Sequence, residues 1–276
     1  MKSATKPIAF KTNACKMGFR ELFRVAGSPG VGIFACALKL FRLIGPDNDG
    51  YGMRSFGETL ERLDMDTLPR RVIRATEGYR DKIVRLGFLP GFAYTLETFG
   101  CQEAHGQVFT HRNQLSAVSI AYARCVRGET ETETTVFGFN TMLKDDTYIM
   151  TSGNKRMLNK PATFLCEYMP NASPKDVYER HVERVESSGV EPRKIRTEDD
   201  LERLVLNCEN EETEFNIDRG VYVKMTRSDI ELGTELKEQY EQDSASPGFR
   251  GRRRRDEDDD DEDEDEDEDD DDSDYR

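Results

Sequence analysis

Seventeen consecutive carboxylates, Asp256 to Asp272, follow directly on Arg252, Arg253, Arg254 and Arg255, and they set the outer limit of what this chain can fold. Such a run has no apolar side chain to bury. Its charges repel one another, and nothing offsets the entropy of ordering its backbone. Residues 244–276 therefore read as a Ser/Gly/Pro linker and a disordered polyanion that acts only through charge, reach and the partners it attracts.

The tail also distorts the charge balance. Residues 252–276 hold five Arg and eighteen Asp or Glu, so they carry −13 of the formal −15. The first 46 residues run the other way, with eight Lys or Arg and the single acid Glu21. The chain is thus polarised into a basic head, a mildly acidic middle and a polyanionic end. About 250 residues remain before the tail, enough for one large domain or two small ones. The longest apolar stretch, Val31 to Ile44, contains Lys39 and Arg42 and is too short to span a bilayer. It also starts too late for a secretory signal. The six cysteines (15, 36, 101, 125, 166 and 208) have no CxxC spacing. They read as reduced thiols in a cytoplasmic protein.

Residues 1–13 read as a flexible basic leader and 14–46 as an amphipathic helical segment, broken at Gly27-Ser28-Pro29-Gly30. A globular unit is expected over 47–243. In it, Ser55 and Glu58 have capping-box spacing, and Leu68 to Leu86 has helical spacing ended by Gly87. The period then changes to two. Phe92–Phe99, Gln107–His111, Leu115–Val126, Thr132–Thr141 and Thr147–Thr151 are short, rich in Val, Thr, Phe and Tyr, and partly alternating; Thr163–Met169 is a sixth candidate. Ser173, Pro174 and Asp176 start a helix closed by Gly189, Thr197 caps another, and Ser228 is read as the cap of a last one. Val221–Met225 adds a short strand between the last two. Strands followed by helices without βαβ alternation predict an α+β fold: an antiparallel meander of five or six strands with N-terminal and C-terminal helices packed on one face.

Each candidate for chemistry has a plainer structural reading. Gly27 to Gly32 precedes a helix but lacks the lysine and hydroxyl of a phosphate loop, so it reads as a turn. Cys101, His105 and His111 could supply three zinc ligands, against two loop histidines and a buried thiol. Cys166 and His181 could form a nucleophile–base pair, against a packed histidine bonded to a backbone carbonyl. Asp145-Asp146, Glu198-Asp199-Asp200 and Asp47-Asn48-Asp49-Gly50 carry acids, but turn and cap chemistry accounts for all three. No cofactor and no metal is expected.

The function expected from these features is non-enzymatic: a cytoplasmic interaction protein whose tail mediates or masks charge-dependent contacts. The partner-binding candidates are Arg252, Arg253, Arg254 and Arg255 with Asp256, Glu257, Asp258 and onward to Asp272. Basic proteins are the expected partners, with the chain's own basic N-terminus as an intramolecular one. Nucleic acid is not expected unless the tail is displaced. Two alternatives stand beside this reading. One is an enzyme whose site lies on the sheet face near Tyr148, Cys166, Tyr168 and His181. The other, less favoured, is attachment to a membrane surface through residues 14–44.

Overall fold

A computed structural model of the 276-residue chain describes residues 7–26, 35, 52–57, 59–127 and 130–245. Arg252–Arg255, the acidic run, the glycine turn, the 47–50 loop and nearly all of the second expected helix lie outside the described residues. The strands are β1 (Ala9–Thr12), β2 (Gly52–Arg54), β3 (Arg62–Leu63), β4 (Phe88–Thr95), β5 (Thr98–Phe99), β6 (Cys101–His111), β7 (Ala117–Arg127), β8 (Thr130–Met142), β9 (Tyr148–Ser152), β10 (Phe164–Tyr168) and β11 (Tyr222–Lys224). The α-helices among the described residues are α1 (Phe19–Val25), α2 (Arg70–Arg85), α3 (Pro174–Ser187), α4 (Glu198–Asp218) and α5 (Arg227–Ala245). None is long and apolar enough to cross a membrane.

The α+β class holds, but the sheet is larger than expected and mixed. Seven strands lie in the order β10-β9-β8-β7-β6-β4-β3, and a second sheet of four has the order β11-β1-β2-β5. The meander itself, β4 with β6 to β9, is antiparallel as expected. β10, however, pairs with β9 in parallel, Cys166 opposite Met150 and Tyr168 opposite Ser152. A parallel neighbour needs a long return connection. Residues 153–163 supply it as an arch running back along the sheet.

Strand β1 falls within the stretch read as a flexible leader. It lies between β11 and β2, with Phe10 opposite both Lys224 and Met53. Its Phe10 ring stacks on Tyr222 at 4.4 Å, and Lys11 ion-pairs with Asp229 at 2.7 Å. Ser55 does not cap a helix; its hydroxyl accepts from the Ile8 backbone N–H at 2.9 Å beside the same sheet.

Helices cover both faces of the large sheet rather than one. Along β7 and β8 the side chains alternate in size. Val118, Ile120, Tyr122, Phe137 and Phe139 point to one face and pack with α2 and α3 in a core that includes Val72, Ile83, Phe88 and Val177. Ala117, Ser119, Ala121, Gly138 and Asn140 point to the other, toward α4, whose Leu201, Leu204 and Val205 pack with Phe92, Tyr94, Val108 and Phe164. The helix starts follow their caps. Ser173 and Thr197 each form reciprocal boxes, with Asp176 and Asp200. In α5 the cap is Thr226, not Ser228: the Thr226 hydroxyl accepts from Asp229 N–H at 3.2 Å, and Asp229 accepts from Thr226 N–H at 2.8 Å.

Candidate functional site: a recess between the sheet and helix α4

Where the small side chains of β7 and β8 face α4, the two layers do not close. A recess of ≈ 210 Å³ remains. Ser119 lies directly opposite Gly138, which in turn lies opposite Ser152. A Cβ on Gly138 would meet Ser152 at an ordinary 3.6 Å, so the glycine leaves room above the sheet rather than relieving a clash. Leu204, Val205, Cys208, Glu209 and Glu212 of α4 form one wall, at the spacing of a single helix face. Cys166 and Tyr168 of β10 form another, with Lys160 delivered by the arch.

The arch is held from the N-terminus. Glu21 of α1, 1% exposed, accepts hydrogen bonds from Asn159 N–H at 2.7 Å, from Gly18 N–H at 2.9 Å, and from the Arg219 guanidinium. Burial raises its pKa, but these donors outweigh burial and hold the carboxyl below its ordinary value. Arg24 donates to the Asn159 side chain at 2.9 Å. The residue after this anchored Asn159 is Lys160, which ion-pairs with Glu212.

The charges of the recess are unequal. Burial works against the Lys160 ammonium, but Glu212, with Glu209 behind it, offsets this and raises the lysine above its usual pKa. Glu209 lines the recess with its side chain exposed to solvent. The density of protein around it and then the neighbouring Glu212 raise its carboxyl above the ordinary value, with Lys160 acting in the opposite direction. Among the described residues Glu209 receives no ion pair or hydrogen bond. Burial also raises the Cys166 and Cys208 thiols, so neither is a ready thiolate. The Tyr168 hydroxyl is pushed up to about 12 by burial and the adjacent Cys166. One polar atom of the floor, Asn140 Oδ1, is buried without a hydrogen-bond partner.

Of the four residues expected on the sheet face, Cys166 and Tyr168 line the recess, and Tyr148 lies two strand positions away on the same face. His181 does not join them. It is fully buried on the opposite face, where Nε2 meets Thr141 Oγ1 at 2.9 Å and Nδ1 meets Thr151 Oγ1 at 3.0 Å. Burial, with Arg184 adding repulsion, lowers its pKa to about 3. Cys166 sits beside Met150 and His181 beside Thr151, and consecutive strand residues point to opposite faces. The nucleophile–base pair is therefore ruled out by the sheet. Lys160, Glu209, Glu212 and Asn140 were not picked out from sequence; the large–small alternation of β7 and β8 is the signal that marks the open face.

The other candidates resolve structurally. Cys101 and Cys125, directly opposite on β6 and β7 with Cα atoms 4.4 Å apart, form a disulfide. This corrects the expectation of six reduced thiols; Cys166 and Cys208 are free, and Cys36 is not among the described residues. The zinc trio does not assemble. His105 and His111 lie six residues apart along β6, about 20 Å at strand rise. His111 packs edge-on to Phe88 at 4.9 Å. No metal-ligating cluster occurs among the described residues. His105 contacts Thr95 Oγ1 at 3.3 Å and Glu103 Oε1 at 3.2 Å, in an open groove beside Lys237 and Tyr240. Thr95 is its cross-strand neighbour and Glu103 lies two residues along the same strand, so register alone accounts for this chain. Asp145 caps its own turn, Asp146 pairs with Arg193 at 2.6 Å, and the acids at the start of α4 bind Arg62 or cap the helix.

No protein-family model, curated protein or solved structure matches this chain.

Proposed function

We propose that the chain binds a small organic molecule in the recess between the large sheet and α4. The observation that carries this reading is the recess itself: ≈ 210 Å³ of space above small side chains, with a buried acceptor, Asn140 Oδ1, left without a partner. A cavity of about 150 Å³ holds benzene, so a ring with a short substituent fits. Buried polar atoms are almost always paired, and a ligand donor would complete Asn140. An enzyme on this sheet face is the second reading. Glu209, its carboxyl raised above the ordinary value beside the space, is the group that would move a proton.

Ligand-observed NMR with a fragment library tests the first reading. Gly138→Leu projects a side chain into the recess without a backbone clash. Fragments that bind the wild-type chain are expected to lose affinity by tenfold or more in Gly138→Leu, with Ser119→Val as a second blocking variant. A library in which no fragment distinguishes the wild type from either variant refutes the reading.

The charge-dependent role of the tail remains a separate proposal, supported by the sequence alone. The basic head that would receive the tail is smaller than its composition suggests, because Lys11 is committed to Asp229. The cytoplasmic location is proposed on the same terms, and the Cys101–Cys125 disulfide weighs against it, since disulfides persist mainly in oxidising compartments.

A further inference from the structure

We propose that the polyacidic tail docks on helix α2 of its own chain, with the carboxylates of Asp256 to Asp272 over the exposed cations of the helix and the groove beside it. This rests on the reading of the tail as acting through charge, and names the surface that receives it. Helix α2 holds six cations, Arg70, Arg71, Arg74, Arg80, Lys82 and Arg85, against two acids, Glu77 and Asp81. Among the described residues only Arg71 of these six is ion-paired, with Glu133 at 3.6 Å and Glu131 at 3.9 Å. Arg70, Arg74 and Arg85 are exposed and, at 3.6 residues per turn, fall within about 60° of one another, with Lys82 exposed at the edge of the row. Val72, Thr76 and Ile83 are buried on the opposite side of the helix. Asp81 lies in the row and offsets one of its charges. The rest have no counter-charge in the described fold.

Beside this row runs an open groove of ≈ 870 Å³. Ala75, Gly78 and Lys82 of α2 form one side, and Lys155 and Met157 of the arch line the other. The charged residues described in its lining are the two lysines, with no acid between them. Gly78 sits mid-helix, where glycine is a poor helix former, yet a Cβ built on it meets nothing within 4 Å. Packing within the fold does not call for this glycine. It leaves bare backbone open to the close approach of another segment. The chain leaves the described residues close by. Near the end of α5 the Tyr240 hydroxyl accepts from Arg124, whose guanidinium lies 5.1 Å from the tyrosine ring. Arg124 and Arg71 share Glu131 and Glu133, so two carboxylates separate the Tyr240 contact from the start of α2. Thr134, next to Glu133, already lines the groove. From Ala245 the lead to Asp256, which includes Arg252 to Arg255, spans at most about 40 Å, and α2 is about 24 Å long. The acidic run can therefore reach the whole helix, and its tether raises the effective concentration to the order of millimolar, so individually weak pairs suffice. The N-terminal head offers a smaller field, since Lys11 is committed to Asp229 and Arg24 to Asn159.

Carbodiimide coupling of the full chain tests this, because it joins a carboxylate to a lysine amine only where the two touch. Trypsin releases the acidic run as one peptide, residues 256–276, which has no internal Lys or Arg, and mass spectrometry of the monomer identifies its partners. At low salt its links to Lys82 and Lys155 are expected to exceed those to the exposed Lys16, Lys144 and Lys194 by about fivefold or more, with Lys237 set aside as a neighbour in α5. The excess is expected to vanish at about 0.5 M salt, which screens exposed charges. It is also expected to vanish in a chain carrying Arg70→Glu, Arg74→Glu and Arg85→Glu, which keeps both reporting lysines and alters only exposed side chains; an unchanged melting temperature checks the fold. Even coupling to all exposed lysines leaves the charge reading of the tail standing and overturns its place on α2. A preference for the lysines of residues 1–16 puts the tail on the head and overturns it too. Coupling to Lys237 alone means that no described surface holds the tail, and the masking reading fails with the proposal. Links to Lys82 and Lys155 that survive the triple variant, or that occur only in a covalent dimer, refute docking by these arginines within one chain.

Discussion

Replacing Lys160 with methionine is the sharpest probe of the charge arrangement in the recess. The side chain keeps its length and packing but loses the one cation that faces Glu209 and Glu212. Breaking a fully buried pair by removing one partner costs about 3–5 kcal/mol. The two partners here are 21% and 20% exposed, and solvent in the recess screens them, so the cost is reduced to about 2 kcal/mol at pH 8. At roughly 2–4 °C per kcal/mol for a domain of this size, the melting temperature falls by about 4–8 °C. The sign of the pH dependence follows from Glu209. Its carboxyl, already raised above the ordinary value, moves higher once the lysine is gone. The penalty is therefore fully present while the acid is ionised and is relieved as falling pH protonates it, so the loss at pH 5 is smaller than at pH 8. Urea unfolding of wild type, Lys160→Met, Glu212→Gln and the double variant at both pH values reads this directly. The double variant should be more stable than Lys160→Met at pH 8, because it removes the stranded charge. A loss equal at pH 5 and pH 8, or losses that add in the double variant, would refute the idea that the lysine acts by compensating these carboxylates.

Glu21→Gln should cost about 2 kcal/mol at pH 7, from weakened charge-assisted bonds to Arg219, Asn159 and Gly18. Because the Glu21 pKa is depressed, that contribution exists above the ordinary carboxylate range. The gap between wild type and variant should close as the pH falls toward 3, measured by urea midpoints. Peptide mapping without reductant should find the segments bearing Cys101 and Cys125 linked, while Cys166 and Cys208 take alkylating reagent after unfolding; alkylation of Cys101 and Cys125 would contradict the pairing. Deleting 252–276 should raise affinity for labelled DNA or RNA at low salt, by fluorescence anisotropy; equal affinity with and without the tail would end the masking proposal.

What could be read in advance was whatever neighbouring residues determine. Ser173-Pro174-Asp176 and Thr197-Asp200 announced their helices, because a cap needs only three residues of context. The five-strand meander showed in its period of two. Failures lie where a distant segment decides. β1 is four residues long and carries a lysine mid-strand, and it becomes a strand only because β11, some 210 residues later, pairs with it. The parallel placement of β10 is set by how residues 153–163 return, not by their composition. That placement also decides which face Cys166 takes, and so why His181 is not its neighbour. The disulfide joins residues 24 apart that come together only once β6 and β7 are in register. The Ser228 reading failed differently: Thr226 and Asp229 already had capping-box spacing, two residues upstream of the chosen serine. For the recess, Lys160 and Glu209 lie 49 positions apart with no shared motif, and only the small-residue face of β7 and β8 hinted that a space would remain between them.

The pairing of β1 with β11 bears on how the protein is made. Phe10 is synthesised 214 residues ahead of its partner Lys224. At 5–20 residues per second, β1 waits about 10–40 s for that neighbour. Arg219, which shares Glu21 with Asn159, arrives just as late. The meander of β4 to β9 spans residues 88–152 and has all its hairpin partners well before then. The register thus separates a sheet whose strands are contiguous in the chain from a closing step that waits for β11, in which β1 and β11 come together and Arg219 joins Glu21 beside the arch that carries Lys160.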